Sequence, residues 1–312
     1  MVVGIDIFGG DFAPEATVKG AILAYKELSP EDGLVLIGDK KQIESVCQQE
    51  NFDPGKFQIV HTTDFIGMDE YPAKAFSQKP NASIVLGYKL LHSGEIDGFA
   101  SAGNTGAMLV GGMHIVKSIP GIIRPSIAAP IPRKNNKPII LLDVGLNADC
   151  KPDVLYQYGI LGSLYSETVY KVEKPKVGLF NIGQEEEKGN LLTKAAFQAM
   201  KGTKDFNFIG NIEGTQIFSD EADVLVCDGF VGNSILKVAE AFFELFKSSS
   251  SDPEYSNQFN FEQHGGTPIL GINKTAVIGH GVSNGTAIKN MLLLTLNVAK
   301  AKLPQQIETA LL

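Results

Sequence analysis

The chain has 312 residues, 44% apolar and 20% charged, a composition that suits one large domain or two medium ones and excludes a disordered chain. Acidic residues outnumber basic ones, 35 to 27, for a formal charge of −8, which argues against nucleic acid as a partner because phosphate backbones select basic surfaces. Three cysteines and five scattered histidines give neither a disulfide framework nor metal-ligand spacing, so a reducing, cytoplasmic setting without metal or cofactor is expected. Val2–Ile5 is apolar at once, without a basic leader, so no signal peptide is expected. No apolar run reaches the ~18 residues of a transmembrane helix.

Short β-rich runs alternate with helical patterns. In chain order the pattern predicts strand Val2–Ile7, helix Pro14–Leu28, strand Leu34–Ile37, helix Lys40–Gln49, strand Phe57–His61 and helix Ser83–Leu91. Strand Gly98–Ser101, helix Thr105–Lys117, strand Ile139–Asp143 and helix Pro152–Tyr170 follow. Strand Lys176–Asn181, helix Asn190–Met200, strand Asn207–Gly210, strand Val224–Asp228, helix Gly232–Phe246, strand Thr275–Gly279 and helix Gly285–Ala301 complete the chain. Such alternation predicts an α/β fold, with a mainly parallel sheet covered by helices on both faces. No repeat or linker divides the chain, so 1–312 reads as a single domain. Ser248–Ser251 is the one low-complexity patch and predicts a loop.

Seven of the predicted strands run into loops rich in Gly, Asn and Ser. In a parallel sheet these loops share the carboxyl edge, where open α/β folds bind ligands. Glycine lets backbone amides approach an anion, and Asn and Ser add neutral donors. Such loops also serve ordinary turns, but seven with one chemistry favour a shared anion site. Only Arg124 and Arg133 are arginines, so an anion must be met by lysines, amides and neutral side chains. There is no P-loop and no G-x-S-x-G elbow, and the relaxed glycine run at Gly279, Gly281 and Gly285 lacks the following strand that a dinucleotide site requires.

At these loops the sequence resembles the bacterial phosphate acyltransferase (PlsX) family over nearly its whole length. The matching stretches are Asp6 with Gly9-Gly10-Asp11, Ser101 to Ala107, Ile119 to Ile122 with Arg124-Pro125, and Leu142 to Pro152. Asn181 to Glu185 with Lys188-Gly189-Asn190, Phe208 to Gly214, Asp228 to Asn233 and His280-Gly281 continue in order. The resemblance implies an α/β/α sandwich akin to phosphotransacetylases and isocitrate/isopropylmalate-type dehydrogenases. It implies a homodimer that moves a fatty acyl group from acyl carrier protein to inorganic phosphate, for phospholipid (phosphatidic acid) synthesis. Weak, reversible contact with the inner face of the membrane and a downstream glycerol-phosphate acyltransferase belong to the same expectation. The alternatives are a phosphotransacetylase-like enzyme using acyl-CoA and a non-catalytic carrier-binding scaffold. The chain departs from the family in having only Lys74 and Lys79 between Pro72 and Ser83, and a short polar stretch from Ser248 to His264.

For this chemistry the loop of Ser101, Gly103, Asn104, Thr105 and Gly106 is the expected phosphate cradle, because it opens a helix. The alternative reading is that Asn104 only caps that helix. Asp6, Asn147, Asn181, Gly183, Asp228, Gly229 and Asn233 are the further substrate-binding candidates, and Asp143 ends a strand at the same edge. His280 is the candidate for proton handling, and Lys188 and Lys151 for charge neutralisation. Cys150 precedes a helix, which leaves acyl-enzyme chemistry as a minor route. Arg133, Lys134 and Lys137, then Lys74 and Lys79, are the candidate carrier-docking patches. Leu236, Ala239, Phe242, Phe243 and Phe246 share a helix face that reads as core, with the lining of an acyl groove or a dimer seam as the alternative.

Overall fold

A computed structural model of the protein describes residues 1–133, 137–246 and 261–311. In chain order the elements are β1 (Val2–Asp6), α1 (Glu15–Tyr25), β2 (Gly33–Gly38), α2 (Lys40–Gln49), β3 (Gln58–His61), α3 (Pro72–Gln78), α4 (Ser83–Ser93) and β4 (Gly98–Ser101). Next come α5 (Thr105–Gly111, continued by a π-helical turn at Gly112–Val116), β5 (Ser126–Ile131), β6 (Ile139–Leu142), α6 (Pro152–Tyr170), β7 (Lys176–Phe180), α7 (Leu191–Met200) and β8 (Asn207–Ile212). β9 (Val224–Val226), α8 (Gly229–Phe246), α9 (Phe261–His264), β10 (Thr267–Leu270), β11 (Thr275–Ile278), α10 (Gly285–Lys300) and α11 (Leu303–Ala310) follow. Thus the predicted strands and long helices form, with ends shifted by a few residues.

Two compact units emerge. The first comprises Met1–Ser118 and Phe261–Lys302, the second Ile119–Asn260 and Leu303–Leu312. In the first, β3, β2, β1, β4 and β11 pair in parallel in that order, and β10 runs antiparallel to β11. Its core joins Ile5, Ile7 and Leu36 of the strands to Val18 and Ala21 of α1 and Ile288, Met291 and Leu292 of α10. α1 and α10 cross closely because residue 20 is glycine: a Cβ there would stand 2.4 Å from Ile288.

In the second unit β6, β9, β7 and β8 are parallel, and β5 is antiparallel to β6. Ile139 to Leu142 are fully buried, as expected for a strand covered on both faces. The two antiparallel strands escape the sequence pattern because each is short and carries a proline, Pro130 or Pro268.

Two expectations are corrected. Arg133 is not part of a docking patch: its side chain is buried, donating to the Ala222 and Lys137 carbonyls at 2.9 and 2.8 Å and to the Asp223 carboxylate at 3.1 Å. The α8 face is not core either, since Phe242 is 56% exposed and Leu236, Ala239 and Phe243 are only half-buried. Lys134 and the Ser248–Ser251 patch lie outside the described residues.

Asp32 closes the first unit against Lys300 of α10 at 2.6 Å. Burial pushes its carboxyl up, but its hydrogen bonds, with Lys300 prominent among them, outweigh burial and hold it below its ordinary 3.8. A depressed carboxyl stabilises the fold above the unfolded value, and that contribution is lost as pH falls through the folded value. An Asp32→Asn chain is therefore expected to melt lower than the parent at neutral pH, with the gap closing below about pH 4; thermal melts across that range check it.

Candidate functional site

In the first unit the loops after β1, β4 and β11 meet. Asp6, 2% exposed, ends β1. One carboxylate oxygen accepts the Phe8 N–H at 3.0 Å and the other accepts the Ser101 hydroxyl at 2.7 Å. The Ser101 oxygen in turn accepts the Gly103 N–H at 2.9 Å. This relay fixes the loop after β4 from the end of β1. Burial pushes the Asp6 carboxyl above its ordinary 3.8, while the Ser83 and Ser101 hydroxyls and the Phe8 amide act against it. Glycine is required at position 9, where a Cβ would lie 2.8 Å from the Gly103 nitrogen.

Asn104 caps α5, its Oδ1 accepting the Ala107 N–H at 3.0 Å. Its Nδ2 donates to the carbonyls of Gly67 at 2.9 Å and Glu70 at 3.0 Å. The side chain is thus committed to structure, which is the plainer of the two sequence readings. Thr105 is exposed and Gly106 half-buried, and their amides belong to the first helical turn, outside the ladder. His280 is exposed, and its Nδ1 accepts the Val282 N–H at 3.4 Å. The adjacent Gly281 carbonyl accepts the Asp11 N–H at 2.7 Å, so the His280 loop adjoins the β1 loop.

The second unit holds two further clusters. In one, fully buried Asp143 accepts the N–H groups of Ile127 at 3.0 Å and Asn147 at 2.6 Å. Asn147 Nδ2 donates to the Pro125 carbonyl and, at 2.7 Å, to the Tyr158 hydroxyl. Gly229 packs on this group: a Cβ there would sit 2.7 Å from the Asp143 carboxylate. Asp228 accepts the Val231 N–H at 2.9 Å and so orders the first turn of α8, and exposed Asn233 lies against Gly145. In the other cluster Asn181 donates to the Lys188 carbonyl at 3.2 Å and to Asn211 at 3.1 Å, while Asn211 donates to the Glu185 carbonyl. That web folds the loop of Gly183 and Lys188, whose Cγ packs against Gly183. The Lys188 and Lys151 side chains are exposed, Lys151 beside an open groove lined by Ile123, Asp153, Tyr156 and Gln157.

Asp143, Tyr158 and Asn211 therefore organise the loops in which the sequence reading places Asn147 and Asn181. A strand-ending aspartate was visible; nothing marked Tyr158 within the apolar pattern of α6. Among the described residues no three His, Cys, Asp or Glu side chains gather as metal ligands, and no helix is long and apolar enough to cross a membrane.

Cys150 is half-buried, and burial pushes its thiol up to about 11, with the Tyr158 hydroxyl acting the other way. A thiol so raised is a poor nucleophile at neutral pH. A Cys150→Ser chain is expected to keep acyl-transfer activity within about threefold, whereas an acyl-enzyme route would require near-complete loss; steady-state rates decide.

The architecture is that of the phosphotransacetylase-like α/β enzymes. A phosphotransacetylase from Streptococcus pyogenes aligns with TM-score 0.71 at 16% identity, covering 96% of this chain and 94% of that one. The EutD phosphotransacetylase from Staphylococcus aureus aligns with TM-score 0.66 at 15% identity over the same shares. Within that fold the sequence is more specific. Residues 1–253 match the family described as "Fatty acid synthesis protein". The phosphate acyltransferase of Dictyoglomus turgidum is 39% identical over 326 aligned positions, 98% of this chain and 96% of that protein. The chain belongs to the phosphate acyltransferase family and is an acyltransferase.

Proposed function

We propose that the whole chain works as one enzyme that transfers a fatty acyl group from acyl carrier protein to inorganic phosphate. The observation that carries this reading is the Asp6–Ser101–Gly103 relay, which sets the backbone leading into the first turn of α5. Amides held in place before the substrate arrives suit a reaction in which phosphate is itself the nucleophile. A phosphate oxygen attacks the thioester carbonyl, a C–O bond forms, and the tetrahedral oxyanion collapses as the C–S bond breaks. The carrier's thiolate leaves and takes up a proton, giving acyl phosphate and free carrier. Preorganised donors lower such a barrier by stabilising the oxyanion.

In this reading Ser101, Gly103, Thr105 and Gly106 shape the phosphate cradle of the first unit, and His280 handles the proton. The His280 side chain is exposed. The product is a mixed anhydride, so an acceptor reaction that acylates a glycerol phosphate for phospholipid synthesis must consume it. A homodimer in the cytoplasm with weak, reversible membrane contact belongs to the same proposal.

The test is incubation of acyl carrier protein thioesters with phosphate, followed by hydroxylamine trapping. Trapped acyl hydroxamate that depends on phosphate supports the reading. Its absence across several chain lengths refutes it; turnover only with CoA thioesters makes the chain a phosphotransacetylase, and carrier binding without turnover makes it a scaffold.

A further inference from the structure

Five large apolar side chains stand open around the loops of the first unit. Phe12 is 56% exposed, Phe65 48%, Met68 50%, Tyr71 73% and Val282 43%. They lie on three segments that touch. The Phe8 and Phe65 rings are 5.2 Å apart, centre to centre. The Asp11 amide donates to the Gly281 carbonyl, and the Met68 methyl lies 3.2 Å from where a Gly281 Cβ would be. Asn104 ties the 67–70 turn to the start of α5, and Pro72 packs on Gly106. Residues 8–12, 65–71 and 280–282 thus form one apolar collar around the Asp6–Ser101–Gly103 relay.

Contiguous apolar surface is rarely left open without a ligand to cover it. The ligand for this surface has to carry a long apolar part joined to a polar head, because Pro72 joins the collar to Gly106, beside the Thr105 and Gly106 amides. Its charge does not favour an anionic partner: Lys79 is paired with Glu70 at 2.6 Å, and against exposed Lys74 stand exposed Asp11, Asp64 and Asp69. Attraction here is therefore apolar rather than ionic. A linear hydrocarbon chain meets these demands, at about fourfold in affinity for each methylene fully buried.

We infer that this collar is the contact surface for a long, unbranched acyl chain and sets the enzyme's chain-length preference. The inference rests on the acyl-transfer reading. Its test compares kcat/KM for palmitoyl and butyryl thioesters on the parent and on a Phe65→Ser, Met68→Ser double variant, with acyl carrier protein and with CoA as carrier. The long-to-short ratio is expected to fall on the order of tenfold in the variant on each carrier that supports turnover. An unchanged ratio overturns the collar while leaving acyl transfer standing. A ratio that moves on only one of two productive carriers also overturns it, because the surface would then be reading the carrier. No acyl phosphate from the parent with any donor overturns the acyl-transfer reading itself. If the double variant melts out, Phe12→Ser alone, on a separate segment of the collar, is expected to lower the ratio in the same direction, and an unchanged ratio there counts against the inference equally.

Discussion

Replacing Asp6 with alanine is expected to lower kcat by on the order of a hundredfold, with a smaller change in KM for the acyl donor. The carboxylate need not touch substrate for this. It receives the Ser101 hydroxyl, and through Ser101 it sets the Gly103 amide and the turn that follows. Without it, Ser101 is free to rotate and the loop loses its fixed geometry. Asp6→Asn separates position from charge, since a carboxamide oxygen can still accept from Ser101. It is expected to keep more of kcat than alanine does. The pair also differ from the parent in pH response. The Asp6 carboxyl is raised by burial, so the folded chain binds that proton more tightly than the unfolded one. Its cost to stability is absent below the ordinary 3.8 and grows as pH rises through the folded value. Relative to Asp6→Asn, which has no charge to bury, the parent should gain melting temperature as pH falls toward the ordinary 3.8. A gap that is constant with pH would contradict the raised carboxyl.

Asp143→Ala is expected to be the most damaging single change in the second unit. Two amides, that of buried Ile127 and that of half-buried Asn147, lose their acceptor. At ~1–3 kcal/mol for the one buried donor left unpaired, the loss is about 2 kcal/mol, or on the order of 5 °C in melting temperature for a unit of this size. Asn147 is released at the same time, and with it the link to Tyr158. Asp143→Asn should fall between, because its amide oxygen can serve one of the two donors. Melting curves give the stability, and amide exchange at Ile127 and Asn147 shows whether the damage is local to this corner.

Much of the scaffold was legible because its signals are local. Ile139 to Leu142 announce a strand buried on both faces, and Asn190 and Asn284 announce the helices they cap. β5 and β10 were not legible, since Ser126–Ile131 and Thr267–Leu270 are short, proline-bearing and lack alternation; pairing with β6 and β11 makes them strands. α3 was missed for its brevity, and α11 because Lys302, at φ 52°, breaks the helix just before it. At the site, the loop positions followed from glycine and asparagine after strands. The division of labour did not. Asn104 looks like a ligand-binding residue in sequence and turns out to be a cap and a staple, because its partners, Gly67 and Glu70, lie over thirty positions away. Arg133 looked like surface charge for the same reason: Asp223, ninety residues on, is what buries it. Long-range partners decide whether a polar side chain is spent or available, and no local pattern records them.

The staple has an entropic side. Residues 64–71 carry three of the collar's five apolar side chains, yet their backbone is held at many points. Asn104 takes two carbonyls, Glu70 receives the Gly67 amide, Lys79 donates to the Phe65 carbonyl, and the Ser83 amide donates to Asp64. Ordering a residue costs about 1–2 kcal/mol in backbone entropy. For this segment that cost falls on folding, once, and not on each encounter with a ligand. The collar is a fixed rim rather than a flap, so an acyl chain laid against it leaves the freedom of the protein backbone almost unchanged, and the disorder lost is that of the chain itself and of the exposed side chains that it covers.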